Sequence, residues 1–351
     1  MSVFRILVSL VLLSSCGYAQ NESSSGVEFV IGGLMQEEGG DWDPKLSPLL
    51  RPFGVDFDLA GCMFVVELEG GRVHRFDPDG KLTQISGDGS ESYKGDGGLV
   101  IDATYNGMHN IAVIPDGDLY IADSWNHCIR RIERDTGIVS TFAGTGKPGF
   151  SGDGGPATKA AFDFIMCITL NSTNDVLHVA DLKNRRIRAI DLESRTVTTI
   201  VGNGQKGAPA DSGRAVESPL EDPRAVAADS KGNVYVLERG GNALRVVMPD
   251  GKIQTVAGTG KQGFRDGAAL EAQFGSPKHI CIDDKDNVYI ADDQNKAIRR
   301  FDPVAKTVST VLGRGQGDAK LKLLHPHGVC WEAGWLYVVD TSHNRILRIK
   351  P

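Results

Sequence analysis

The sequence predicts an all-β fold, a six-bladed β-propeller of four-stranded antiparallel blades whose N-terminal strand closes the C-terminal blade. Two recurring markers and one missing strand predict it. A Gly-Gly or Gly-x-Gly element ends an apolar alternating run at Gly32, Gly87, Gly144, Gly202, Gly258 and Gly313, in steps of 55, 57, 58, 56 and 55 residues. Between these glycines an acid closes a Tyr/Val-rich strand: Glu67, Asp123, Asp181, Glu238, Asp292 and Asp340. Two markers with one period describe an array of one supersecondary unit, which buries its apolar faces only by stacking on its neighbours. The third observation concerns the ends. The last unit supplies three strands before the chain stops at Pro351, while Val27-Glu28-Phe29-Val30-Ile31 precedes the first glycine marker. Placing that strand in the final blade joins the ring and hides two edges.

The fifth unit shows the elements in order. Residues 277–282 read as a first strand, 283–286 as a turn, 287–292 as a second strand and 297–301 as a third. After Asp302-Pro303 a fourth strand covers 307–312. Apolar and polar residues alternate along these runs, as half-buried antiparallel strands require. Asp, Asn, Gly and Pro occupy the turns because their dihedral preferences suit them. From each second-strand acid to the next apolar strand residue the step is six, from Glu67 to Val73 through Asp340 to Ile346, which implies one turn geometry throughout. Blades of this kind leave only short, protected edges. Helix is expected only as short turns within residues 156–162 and 267–274.

The 351 residues divide into a leader at 1–19, a polar tether at 20–26 and one propeller domain at 27–351. Arg5 followed by the apolar residues 6–13 has the form of a signal peptide, too short for a mature membrane span. Leu13-Ser14-Ser15-Cys16 has the form of a lipobox, with Cys16 as the lipidated residue; cleavage after Ala19 is the competing reading. The sequence thus predicts an exported protein, periplasmic, secreted or held at the cell surface by an N-terminal lipid, and a monomer. The formal net charge of −7 excludes a general affinity for nucleic acid. The cysteines number 6 and form no Cys-x-x-Cys pair, which argues against a disulfide framework or a zinc knuckle.

The unit Pro-x-x-Val/Ile-x-Val…Gly-Asn-Val-Tyr-Val/Ile-Ala-Asp-x-x-Asn-x-x-Ile-Arg-Arg resembles the NHL repeat. The second unit carries it as Ile111-Ala112-Val113…Gly117-Asp118-Leu119-Tyr120-Ile121-Ala122-Asp123-Ser124-Trp125-Asn126-His127-Cys128-Ile129-Arg130-Arg131, and the fourth begins it with Pro223-Arg224-Ala225-Val226. The loops that start at Gly144 and Gly258 resemble those of secreted bacterial NHL-repeat proteins. The resemblance implies the propeller over residues 27–351. It leaves function open, because such propellers include binding modules, peptidyl-amidoglycolate lyases and distant gluconolactonase-like relatives.

The innermost strands begin at the unit's proline or its equivalent, and the following residue is expected at the mouth of the central channel. Round the ring this position holds Phe53, His109, Met166, Arg224, Lys278 and His327. The resemblance to the amidating lyases implies zinc-binding histidines here, and His109 and His327 match. The remaining positions hold no third histidine, whereas a catalytic zinc takes three protein ligands and an open position. His279 is one residue out of phase, and His325 precedes Pro326, so both need a backbone shift to contribute. Without metal, His109, Arg224, Lys278 and His327 form a basic mouth that favours a carboxylate or other anion. Gluconolactonase-like propellers carry an acid opening the first blade within Glu-Gly-Pro; here the segment is Arg51-Pro52-Phe53-Gly54.

Other motifs have simpler explanations. The Gly-x-Gly-x-x-Gly runs at Gly144 and Gly258 lead into more strand rather than a helix, so they are interblade turns and not dinucleotide loops. The acid ring repeats at one turn of each blade, where a carboxylate accepts backbone N–H groups; Arg130, Arg188, Arg245 and Arg299, seven residues on, are expected beside it. Cys281 and Cys330 read as core filling. Trp125 lies in an exposed turn. No Gly-x-Ser-x-Gly, His-Glu-x-x-His or Gly-Lys-Ser/Thr sequence occurs. The sequence therefore predicts a non-catalytic binding scaffold for a protein, peptide or glycan, with no resident cofactor. The alternative is a metal-assisted lyase or hydrolase, with zinc or calcium at the mouth held by His109 and His327.

Overall fold

The computed structural model describes residues 26–32, 48–115 and 117–351; the leader, Cys16 and most of the tether lie outside them. Six antiparallel sheets surround one axis. In chain order the innermost strands are Pro52–Phe57, Met108–Val113, Ile165–Leu170, Pro223–Ala228, His279–Ile282 and Pro326–Glu332. No helix among the described residues is long and apolar enough to cross a membrane.

The closure matches the sequence expectation. Val27–Ile31 pairs antiparallel with the last strand, Arg345–Ile349, through Val27 with Ile349, Glu28 with Arg348 and Phe29 with Leu347. Val27 and Ile31 are buried, and Arg348 grips Glu28 at 2.7 Å. Three blades depart from the four-strand expectation. Two-residue strands at Gly155–Pro156, Gly213–Arg214 and Gly267–Ala268 add to the outer edges of the third, fourth and fifth blades. The helical turns expected in two loops are single 3-10 turns, Ala157–Lys159 and Ala269–Glu271. Each follows its short outer strand, so the loop both covers the blade edge and reaches the next blade.

The acid ring holds the blades to their loops. Asp123, Asp181, Asp292 and Asp340 are fully buried. Each accepts a backbone N–H from the loop entering its blade: Asn106 to Asp123 at 2.7 Å, Asp163 to Asp181 at 2.8 Å, Gly275 to Asp292 at 2.6 Å and Leu324 to Asp340 at 3.0 Å. The expected arginines lie alongside, with Arg299 2.7 Å from Asp292 and Arg245 2.7 Å from Glu238. In the first blade His74 takes the arginine's place, 3.1 Å from Glu67. Burial of such pairs demands full hydrogen bonding. Arg299 meets that demand with further bonds to Asp266, Gln273 O and Arg265 O.

Candidate functional site at the channel mouth

A repeated backbone device aims the mouth residues at the axis. On the first blade Pro52 pairs with Glu67 and Gly54 with Val66, which leaves Phe53 unpaired in a β-bulge. His109, Met166, Arg224 and His327 sit in the same bulge of their blades. Lys278 comes just before its shorter strand and donates its N–H to Ala291 O at 2.9 Å. The residue before the inner strand is left-handed on three blades, at Arg51 (φ 49), Gly107 (φ 64) and Phe164 (φ 63), and on the fifth Ser276 (φ 52), before Pro277, is left-handed too. Bulges re-aim side chains, and non-glycine residues with positive φ cluster at functional sites.

Phe53, His109, Arg224, Lys278 and His327 come together where the sequence placed them, with Met166 meeting Arg224 through its carbonyl. The Phe53 ring is the hub: its centroid lies 4.7 Å from that of His109 and 4.6 Å from that of His327, and the Arg224 guanidinium stands over it at 5.6 Å. His109 Nδ1 faces Gly107 O at 2.7 Å. A carbonyl only accepts, so Nδ1 carries the proton. Burial and the Arg224 charge push the imidazole well below its usual range, leaving it neutral with Nε2 as an acceptor. Trp125, which the sequence placed in an exposed turn, reaches back over this side of the mouth, its ring 6.3 Å from His109.

Arg224 is the unusual member. It is only 3% exposed. Its Nη1 makes one long bond of 3.4 Å to Met166 O, and its Nε has no partner among the described residues. Burial, with the nearby Arg239 charge, lowers it to about 10, so it remains a cation at neutral pH. Lys278, lowered by burial and Arg224, stands 3.6 Å from Asp293 Oδ2.

Asp293 is the site residue the sequence reading missed. Its Oδ1 receives His325 Nδ1 at 2.9 Å and lies 3.5 Å from His327 Nε2. Burial alone would raise this carboxyl, but hydrogen bonds and charge from His327, His325 and Lys278 hold it down at about 2. His327 itself is lowered by burial against the pull of Asp293. His325 joins this group through its contact with Asp293, its ring centroid 5.6 Å from that of His327. His279, by contrast, lies one layer deeper, 3.1 Å from Asn110 Nδ2 and 3.6 Å from Cys167 Sγ.

Below that layer is a cavity of about 170 Å³ whose lining includes Asp56, Asn110, His279, Cys281 and Cys330. The two cysteines pack against hydrophobic clusters, as the sequence suggested, and also line this cavity. Their thiols are pushed well above the usual range by burial. The inner strands pack closely between blades here: a Cβ on Gly328 would lie 2.3 Å from Phe53 O.

The fold and the mouth together define a class, a six-bladed propeller with NHL-type units. The NHL repeat family matches residues 109–132, the second blade's inner strands and part of the mouth. Among curated relatives, NHL repeat-containing protein 2 of Gallus gallus is 26% identical over 343 residues, a match covering 86% of this chain and 46% of that protein. The chain thus spans about half the length of that relative. An auxiliary nutrient binding protein from Bacteroides ovatus superposes with a TM-score of 0.66 at 14% identity, over 92% of this chain and 76% of the other. Virginiamycin B lyase from Staphylococcus aureus does so with a TM-score of 0.54 at 14% identity, over 86% and 94%. At these identities the structural likeness establishes the fold alone.

Proposed function

We propose that the protein is an exported binding scaffold whose channel mouth captures the anionic group, in the first place a carboxylate, of a protein, peptide or glycan ligand. The observation that carries this reading is Arg224, a buried guanidinium with one long hydrogen bond and no ion pair among the described residues. A buried charge left in this state costs stability until a partner arrives. A ligand carboxylate is the geometric complement of a guanidinium fork. Lys278 and Arg239 lie close enough to Arg224 to act on its charge. Arg239 is held by Asp222 at 2.7 Å and Lys278 by Asp293, so a positive balance remains at Arg224. Trp125, exposed beside His109, offers an aromatic surface for the ligand's apolar part. The nutrient-binding protein of the same fold supports a binding role, and the leader features around Arg5 and Cys16 support export.

The test is calorimetric titration of the untagged protein with small carboxylates, alongside Arg224→Met and Arg224→Met/Lys278→Ala. The reading expects measurable binding, weakened at least about tenfold in the single variant, or about 1.4 kcal/mol. Unchanged binding in both variants would overturn it.

A further inference from the structure

The three-histidine zinc centre that the lyase resemblance implies does not fit this mouth. His109 keeps Nε2 free while Gly107 O holds Nδ1, but the Phe53 ring packs on both His109 and His327. No third histidine stands on the ring, whose remaining places are Phe53, Met166, Arg224 and Lys278. A different set converges instead. We propose that Asp293, His325 and His327 form a binding site for one divalent transition-metal ion, independent of His109. Their ligand atoms all lie within 4.8 Å of one another.

The geometry is that of a nearly assembled coordination shell. Zinc binds imidazole nitrogen and carboxylate oxygen at about 2.0–2.2 Å, so neighbouring ligands of a tetrahedral ion stand about 3.4 Å apart. Here Asp293 Oδ1 is 2.9 Å from His325 Nδ1 and 3.5 Å from His327 Nε2, so small side-chain movements admit an ion between them. In the metal-free form the His325 Nδ1 proton occupies that space, and metal entry at Nδ1 takes the other tautomer, with the proton carried on Nε2. Two imidazoles and one carboxylate suit zinc, cobalt(II) or nickel(II) rather than calcium, which prefers an all-oxygen shell. The second oxygen of Asp293 is already oriented by Lys278 at 3.6 Å, as outer groups orient metal-bound carboxylates. The His325 side chain is 47% exposed, which gives the ion a path from solvent. Lys278 and Arg224 also set a sign: their positive charges oppose a cation.

The experiment is titration of chelator-treated, untagged protein with cobalt(II) and zinc alone, followed by calorimetry and the cobalt absorption spectrum. No carboxylate ligand is present, so its outcome is separate from that of the anion reading. The site predicts one ion per chain with a low-symmetry cobalt spectrum. Affinity falls at least tenfold in His325→Ala, His327→Ala and Asp293→Asn, stays within about threefold in His109→Ala, and rises in Lys278→Met. His325 is half exposed, so His325→Ala folds normally, which a far-ultraviolet circular dichroism spectrum checks. The absence of a stoichiometric ion in the wild type, or full retention of metal by His325→Ala, would overturn the proposal, and so would loss on His109→Ala alone.

Discussion

Asp56 is a further ionisable side chain held inside the ring. It lines the inner cavity, where Oδ1 accepts the N–H of Phe57 at 2.9 Å and Oδ2 that of Val113 at 2.8 Å. Burial raises it to about 6, against the lowering effect of those two bonds. A carboxyl whose folded value exceeds its unfolded value near 3.8 favours the folded state below the unfolded value. That contribution disappears as pH rises through about 6. The unfolding free energy of the wild type minus that of Asp56→Ala should therefore fall between pH 4 and pH 7. Denaturant titrations across that range measure it, and a difference that rises with pH would refute the assignment. Asp293 shows why some site residues were not legible. It directly follows Asp292, a repeated structural acid, and reads as part of the same turn. The available signal was the ring of residues one place beyond each acid: Leu68, Ser124, Leu182, Arg239, Asp293 and Thr341. Only two of these are charged, and both lie at the mouth. Arg224 and Lys278 were legible because the unit's proline fixes their place.

Single elements carry the ring closure and the aim of the mouth. The closing strand was legible because an unmatched alternating run at one end fits the missing strand at the other. The bulge was not, because it is a matter of hydrogen-bond register, and Phe53, His109 and Arg224 share no residue type that betrays it. The left-handed residues before the inner strands were equally hidden: Arg51 and Phe164 occupy a region that glycine ordinarily takes. The cysteines were legible as core residues, but their place on the cavity wall was not, since periodicity alone does not tell a blade core from a channel wall. The closing strand yields a direct prediction. Its Val27 and Ile31 are buried, and each contributes about 1.5–3 kcal/mol. Truncation through Ile31 exposes the edge of Arg345–Ile349. The melting temperature should fall by about 5 °C or more, and the protein should associate with increasing concentration. Light scattering behind a sizing column reads the association. A truncated protein that stays monomeric with an unchanged melting temperature would show that the ring closes without this strand.

At the scale of the molecule, the six blades form a frame in which the fully buried arginines are paired with carboxylates and Arg224 at the axis has no ion pair among the described residues. Arg130, Arg188 and Arg299 are fully buried, yet each has carboxylates and carbonyls around it. Arg224, buried almost as deeply, has Met166 O alone within hydrogen-bond distance among the described residues. Stability is therefore given up at the axis, where the sequence pattern breaks its own symmetry, and the ligand is expected to restore it. Thermal unfolding of the wild type and Arg224→Met, each with and without a saturating small carboxylate, tests this directly. Methionine already fills the equivalent place on the third blade as Met166, so the exchange suits the fold. The variant should melt roughly 2–4 °C above the wild type without ligand, the effect of about 1 kcal/mol in a domain of this order of size. It should gain nothing from the carboxylate, whereas the wild type rises. A variant that melts lower than the wild type without ligand, or that is stabilised by the carboxylate as much as the wild type, would contradict the account.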